Sequence, residues 1–150
     1  MEKMQKVYPE QERIVLDLKS FFKKNAFFYC IDMAFLFGSW VRGYPRGDSD
    51  ADVAIVFSKE ILKEDRFFSL ITEISYRLEE ELRREVNAIA ILEDFPHPLL
   101  YYNAIIEGIV LFVKDKDKLL YLKLRGISAM EDFRIFAVQW QKNIAENLIM

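Results

Sequence analysis

The chain has 150 residues, a formal net charge of -3, and 52% hydrophobic against 30% charged side chains. That length suits one domain, and the mix supports a buried core, which argues against wholesale disorder. The acidic balance, with a pI near 5.3, disfavours a nucleic-acid-coating role, since phosphate backbones need clustered Lys and Arg.

At the start of the chain Glu2, Lys6, Glu10 and Glu12 interrupt any apolar leader, and no run anywhere approaches the ~20 apolar residues of a membrane span. A cytoplasmic protein without membrane attachment is therefore expected. Residues 9 to 24 read as a helix: Pro9 suits a first turn, and Ile14, Leu16, Leu18, Phe21 and Phe22 give it an apolar face. Residues 27 to 37, FFYCIDMAFLF, read as a buried strand ending at Gly38. Cys30 lies within that run and reads as a buried, inert thiol; as the one cysteine it can form neither an internal disulfide nor a structural zinc centre. Residues 39 to 43 look like a short helical start, and residues 44 to 50, YPRGDSD, a loop.

A second strand is expected over 51 to 57 and an amphipathic helix over 66 to 84, with Phe67, Ile71, Ile74, Leu78 and Leu82 on one stripe. On that helix the run EEELRR reads as a solvated face with i,i+4 pairing, such as Glu79 with Arg83. A third strand follows over 85 to 92, then a short helix over 99 to 107 ended by Gly108, then a fourth strand over 109 to 113. From about 117 the pattern is helical with an interruption near Gly126, and Phe133, Phe136, Trp140, Ile144 and Leu148 recur at three- and four-residue spacing. Those residues are expected to finish the core, with a docking helix as the alternative. There is no internal repeat or interdomain linker. The alternation of elements argues for one α/β or α+β domain, its core over about 10 to 113 and a helical segment over about 117 to 150, built on a small sheet flanked by helices.

The segment that carries chemistry runs from Gly38 to Asp52. A strand ends in Gly38-Ser39 and a helix begins. Glycine lets a ligand approach the backbone, and a new helix presents unpaired N–H groups that suit a phosphate. Asp50 and Asp52 are two residues apart at the start of a strand, so both side chains point to one face. Paired carboxylates on one face call for a cation between them, most simply a divalent metal. Phosphate donors beside such a metal suggest phosphoryl or nucleotidyl transfer.

Gly38-Ser39, ten intervening residues and Asp50-Ala51-Asp52 resemble the signature of the DNA polymerase β-like nucleotidyltransferase superfamily, in its minimal, MNT-type branch. Arg42-Gly43, Ser49-Asp50-Ala51-Asp52-Val53-Ala54-Ile55 and the later Glu107-Gly108-Ile109-Val110-Leu111-Phe112 match as well. The resemblance implies that Gly38 and Ser39 hold a triphosphate, with ATP the expected nucleotide, and that Asp50 and Asp52 bind Mg2+. The family's third carboxylate falls on the next strand, where this chain has Asn87. An amide oxygen can touch a metal but cannot accept a proton from an attacking hydroxyl. Glu85, two residues earlier, is the candidate substitute.

Other residues have a plainer reading beside the functional one. Arg42 is read as a phosphate clamp, with an exposed helix residue as the alternative, and Arg46 stands evenly between the same two. Asp48 offers another pair with Asp50, but its place between Gly47 and Ser49 favours a surface turn. His97, between two prolines, reads as a loop residue, and Tyr101-Tyr102 as packing or a rim contact. The resemblance further implies a stand-alone MNT protein of a HEPN/MNT toxin–antitoxin pair, whose HEPN-family partner it binds and can adenylylate. The competing reading is a catalytically impaired protein of the same fold that neutralises its partner by contact; weaker still is an interaction domain with no nucleotide role. An oligomer is compatible with either.

Overall fold

The structure, a computed structural model, describes residues 9–42, 50–64 and 66–149. Helix α1 (Pro9–Asn25) carries Glu10 and Glu12 in its first turn and Lys23 and Lys24 in its last, which complements the helix dipole. Its buried face is Ile14, Leu18, Phe21 and Phe22; Leu16, expected on that face, is exposed. Strand β1 (Ile31–Phe37) begins four residues later than the apolar run suggests. Residues 27–30 form a tight turn instead, closed by the Ile31 N–H donating to Ala26 O at 2.8 Å. Phe27 and Phe28 stand exposed on it, and Cys30, with φ of 56°, is exposed too, which corrects the expectation of a buried thiol.

The remaining elements are α2 (Ser39–Arg42), β2 (Ala51–Phe57), α3 (Lys59–Lys63), α4 (Phe67–Leu82), β3 (Val86–Ala90), α5 (Pro98–Ile105), β4 (Ile109–Val113) and α6 (Lys116–Ile149). The four strands form one mixed sheet in the order β3-β2-β1-β4. Strand β1 is antiparallel to both β2 and β4, while β2 and β3 run parallel.

Alternation along the strands divides the core between the two sheet faces. Ala34, Leu36, Val53, Ile55 and Phe57 pack with α1 and α4 on one face. Met33, Phe35, Phe37 and Ala54 pack with Tyr101, Ala104 and Ile105 of α5 on the other, where Leu119, Leu122 and Ala129 of α6 join them. Arg77 of α4 ties the first layer together: its guanidinium lies 5.3 Å from the Phe21 ring and donates to Tyr29 Oη at 2.7 Å and Asn25 Oδ1 at 3.2 Å. Helix α4 ends with Arg83 in the left-handed region. The Arg83 N–H still donates to Glu79 O at 2.8 Å, while the Glu79 carboxylate, expected to pair with Arg83, accepts the Val86 N–H on Oε1 at 3.2 Å at the start of β3.

Helix α6 is continuous over 34 residues and is not interrupted at Gly126. The glycine is tolerated there because helix context outweighs a propensity cost of roughly 1 kcal/mol. Only the first half of α6 finishes the core. Phe136, Trp140 and Leu148 are exposed, which overturns the expectation that the distal stripe is buried in this chain.

Candidate functional site

The site sits where the C-terminal end of β1 meets the N-terminal ends of β2 and β3. The register fixes it: Phe37 lies opposite Asp52 across the antiparallel pair, and Asp52 opposite Asn87 across the parallel pair. These three residues form one row on the sheet face that α5 covers further along. Asp50, two residues before Asp52, projects to the same side.

One amide joins the two carboxylates. The Asn87 side-chain Nδ2 donates to Asp50 Oδ2 at 3.3 Å and to Asp52 Oδ1 at 3.2 Å. The Asp52 carboxyl is raised above its ordinary value, first by burial, which disfavours the anion; the Asn87 hydrogen bond opposes this, and the negative charge of Asp50 adds to it. Glu85 stands one residue before β3, exposed, and its carbonyl accepts the Ala51 N–H at 3.0 Å. Among the described residues Asp50 is the carboxylate that adds negative charge at Asp52, and no group of three or more His, Cys, Asp or Glu converges on one point.

Gly38 forms the wall beside this pair. Its φ is +80°, a conformation that side chains rarely adopt, and a Cβ there would overlap Asp52 Oδ2. Ser39 opens α2, and the next residue anchors the turn. Trp40 is fully buried, its carbonyl accepts from Gln11 Nε2, and the Arg84 guanidinium stacks 4.6 Å above its ring. The Val41 N–H donates back to Gly38 O at 3.1 Å. Backbone and anchor together hold Gly38-Ser39 against the start of β2. Arg42 closes α2; its side chain, together with Arg46 and Asp48, lies outside the described residues.

The donor set suits a small hard cation. Two carboxylates, one just before β2 and one within it, direct oxygens to a single nitrogen, so an ion near that point would meet oxygen ligands of the kind Mg2+ takes. The missing Cβ at Gly38 leaves room for the Asp52 carboxylate itself, which packs directly against that glycine.

One residue outside the row supports its surroundings. The buried Tyr101 hydroxyl accepts the Leu92 N–H and donates to Ala90 O, each at 3.1 Å, which ties α5 to the end of β3. His97 precedes α5, exposed, in keeping with a loop residue. Sequence patterning gave no sign of the Asn87 bridge between the carboxylates or of the Trp40–Arg84 stack.

This arrangement belongs to a known class. The chain is a member of the polymerase beta nucleotidyltransferase family, whose pattern matches residues 17–117. No curated protein matches it in sequence.

Solved structures share the fold at low identity. A chain from the crystal structure of a toxin–antitoxin with AMP-PNP aligns with a TM-score of 0.60 at 16% identity, covering 95% of this chain and 100% of that one. One from the complex of tri-AMPylated Shewanella oneidensis HEPN toxin with MNT antitoxin aligns at 0.57 and 14%, covering 93% and 99%. One from the MntA–HepT toxin–antitoxin structure aligns at 0.53 and 13%, covering 94% and 97%. No helix among the described residues is long and apolar enough to cross a membrane.

Proposed function

We propose that this chain is a single-domain, cytoplasmic MNT-type nucleotidyltransferase that binds ATP with Mg2+ and transfers AMP to a hydroxyl of a HEPN-family toxin, acting as its antitoxin. The observation that carries the reading is the convergence of Asp50 and Asp52 on one point beside Gly38, which packs so closely that a Cβ there would overlap Asp52 Oδ2. Asp50 and Asp52 hold the ion, Gly38 and Ser39 receive the triphosphate through backbone and hydroxyl donors, and Arg42 adds a positive charge. When bound, Mg2+ neutralises phosphate charge and orients the α-phosphate. The acceptor hydroxyl forms a new P–O bond at the α-phosphorus, pyrophosphate leaves, and the hydroxyl proton passes to a base. Similarity to a chain crystallised in a complex with an AMPylated HEPN toxin supports the choice of partner and reaction.

A second reading rests on Asn87. A neutral amide occupies the third position of the row and is donating to both carboxylates, so it cannot serve as the base. On this reading the chain keeps nucleotide and partner binding and silences the toxin by contact. Incubating the chain with labelled ATP, Mg2+ and a HEPN-family protein separates the two. Label covalently attached to the partner supports transfer; a stable complex without label supports contact alone.

A further inference from the structure

We propose that the distal half of α6 is a self-association surface on which a second copy of this chain docks antiparallel, centred on Trp140. This goes beyond the nucleotide site and uses none of its residues.

The stripe that buries the first half of α6 does not stop where the domain stops. Leu119, Leu122, Gly126 and Ala129 lie on the face turned to α5, and Phe133, Phe136, Trp140, Ile144 and Leu148 continue that line at three- and four-residue spacing. The last five are 41%, 65%, 58%, 38% and 80% exposed. Aromatic side chains bury about 150–250 Å² each when covered, and with the smaller Ile144 and Leu148 the five partly exposed residues leave on the order of 500 Å² per copy. Two copies then remove about 1,000 Å², the threshold for a specific interface, before any flanking residue is counted.

Spacing selects an identical copy as the occupant. A two-fold pair must present the same surface from both sides. Turned antiparallel about Trp140, the stripe matches itself: Phe136 of one copy stands level with Ile144 of the other, and Phe133 level with Asn147, beside Leu148. The Leu148 end then meets a groove of about 460 Å³ between residues 94–98 and α6, where Phe95, Pro98, Phe133 and Phe136 supply apolar walls and Asp94, Arg125 and Asp132 a charged rim. Charge agrees. Between Phe133 and Leu148 the charged residues are Arg134, Lys142 and Glu146, about 120°, 200° and 120° around the helix from Trp140 and so off the stripe. The centre of the stripe therefore offers a charged partner no counter-charge, and a second copy brings no repulsion there.

Light scattering on the full chain over a hundredfold concentration range tests this. The mass is expected to rise toward twice the 17.8 kDa of one chain. Trp140→Glu is expected to weaken association roughly tenfold or more, while Leu124→Glu, exposed on the opposite face, leaves it unchanged. Circular dichroism checks that both variants remain folded. Independently, Trp140→Cys in a Cys30→Ser background should cross-link to itself on oxidation, because residue 140 meets its own copy at the axis, whereas Leu124→Cys should not. A wild-type mass that stays at one chain at the highest concentration overturns the proposal. So does cross-linking no better at position 140 than at 124.

Discussion

Gly38 packs so closely on Asp52 that a Cβ at position 38 would overlap Asp52 Oδ2 and stand 3.1 Å from its Cγ. The turn and the Asp52 carboxylate are therefore one unit. Gly38→Ala is expected to do two things at once. It strains a backbone at φ +80°, which costs about 1–2 kcal/mol in stability, and it pushes the Asp52 carboxylate out of line, which removes magnesium-dependent nucleotide binding. Gly126→Ala is the contrast: the glycine is inside a helix, and its added Cβ would sit 3.9 Å from Ile106 Cγ1, an ordinary contact. That change should raise stability by about 0.5–1 kcal/mol and leave binding unchanged. Denaturant unfolding with calorimetric titration reads both.

The pH dependence of stability should carry the mark of Asp52. Its folded carboxyl is raised above the ordinary value of 3.8, by burial and by Asp50 against the Asn87 hydrogen bond. The folded state thus holds the proton more tightly than the unfolded chain. The contribution of this group to stability is full below the unfolded value and is lost as pH rises through the folded one. Asp52→Asn should therefore melt higher than wild type at neutral pH without metal, and the difference should vanish below the unfolded value. A variant that melts lower than wild type at neutral pH would contradict this sign.

Asn87 divides the two functional readings. Its amide donates to both carboxylates, so in metal-free protein Asn87→Asp places a third negative charge in the row and should lower the melting temperature, an effect that added Mg2+ reverses. If transfer is limited by the want of a base, the same variant should raise AMP transfer to the partner, within the ~10²–10⁴-fold that positioned bases contribute. Glu85→Ala should be silent, since the exposed Glu85 makes no contribution at Asp52. Loss of transfer in Glu85→Ala would reassign the base.

Tyr101 offers a test of the scaffold alone. Tyr101→Phe leaves the Leu92 N–H without its acceptor in a half-buried setting and should cost about 1–3 kcal/mol in denaturant unfolding. Nucleotide binding should be unchanged, because the hydroxyl ties α5 to β3 beyond the row of Asp52 and Asn87.

Much of this architecture is legible in the residues. Asp50 and Asp52, two apart at the head of an apolar run, read directly as sharing one side of a strand; the register adds that Asn87 lies opposite Asp52. What escaped the sequence depends on contacts between distant segments. Phe27 to Cys30 looked like strand because apolar composition alone cannot register a turn lacking Gly or Pro; the left-handed Cys30 makes that turn. Gly126 looked like a break because propensity was weighed without the packing of α6 on α5. The α6 stripe looked like core because periodicity shows which face is apolar and not what covers it. The Asn87 position was readable, but its simultaneous donation to two carboxylates follows from the parallel pairing of β2 and β3.

The central claim is that Asp50, Asp52 and Gly38 form a metal-dependent nucleotide site. Calorimetric titration of ATP into wild type, Asp50→Ala and Asp52→Ala, each with Mg2+ and with chelator, tests it most directly. The account predicts binding by wild type only with Mg2+ and none by either variant, both still folded. Equal ATP affinity in wild type and both variants with Mg2+ present would contradict it.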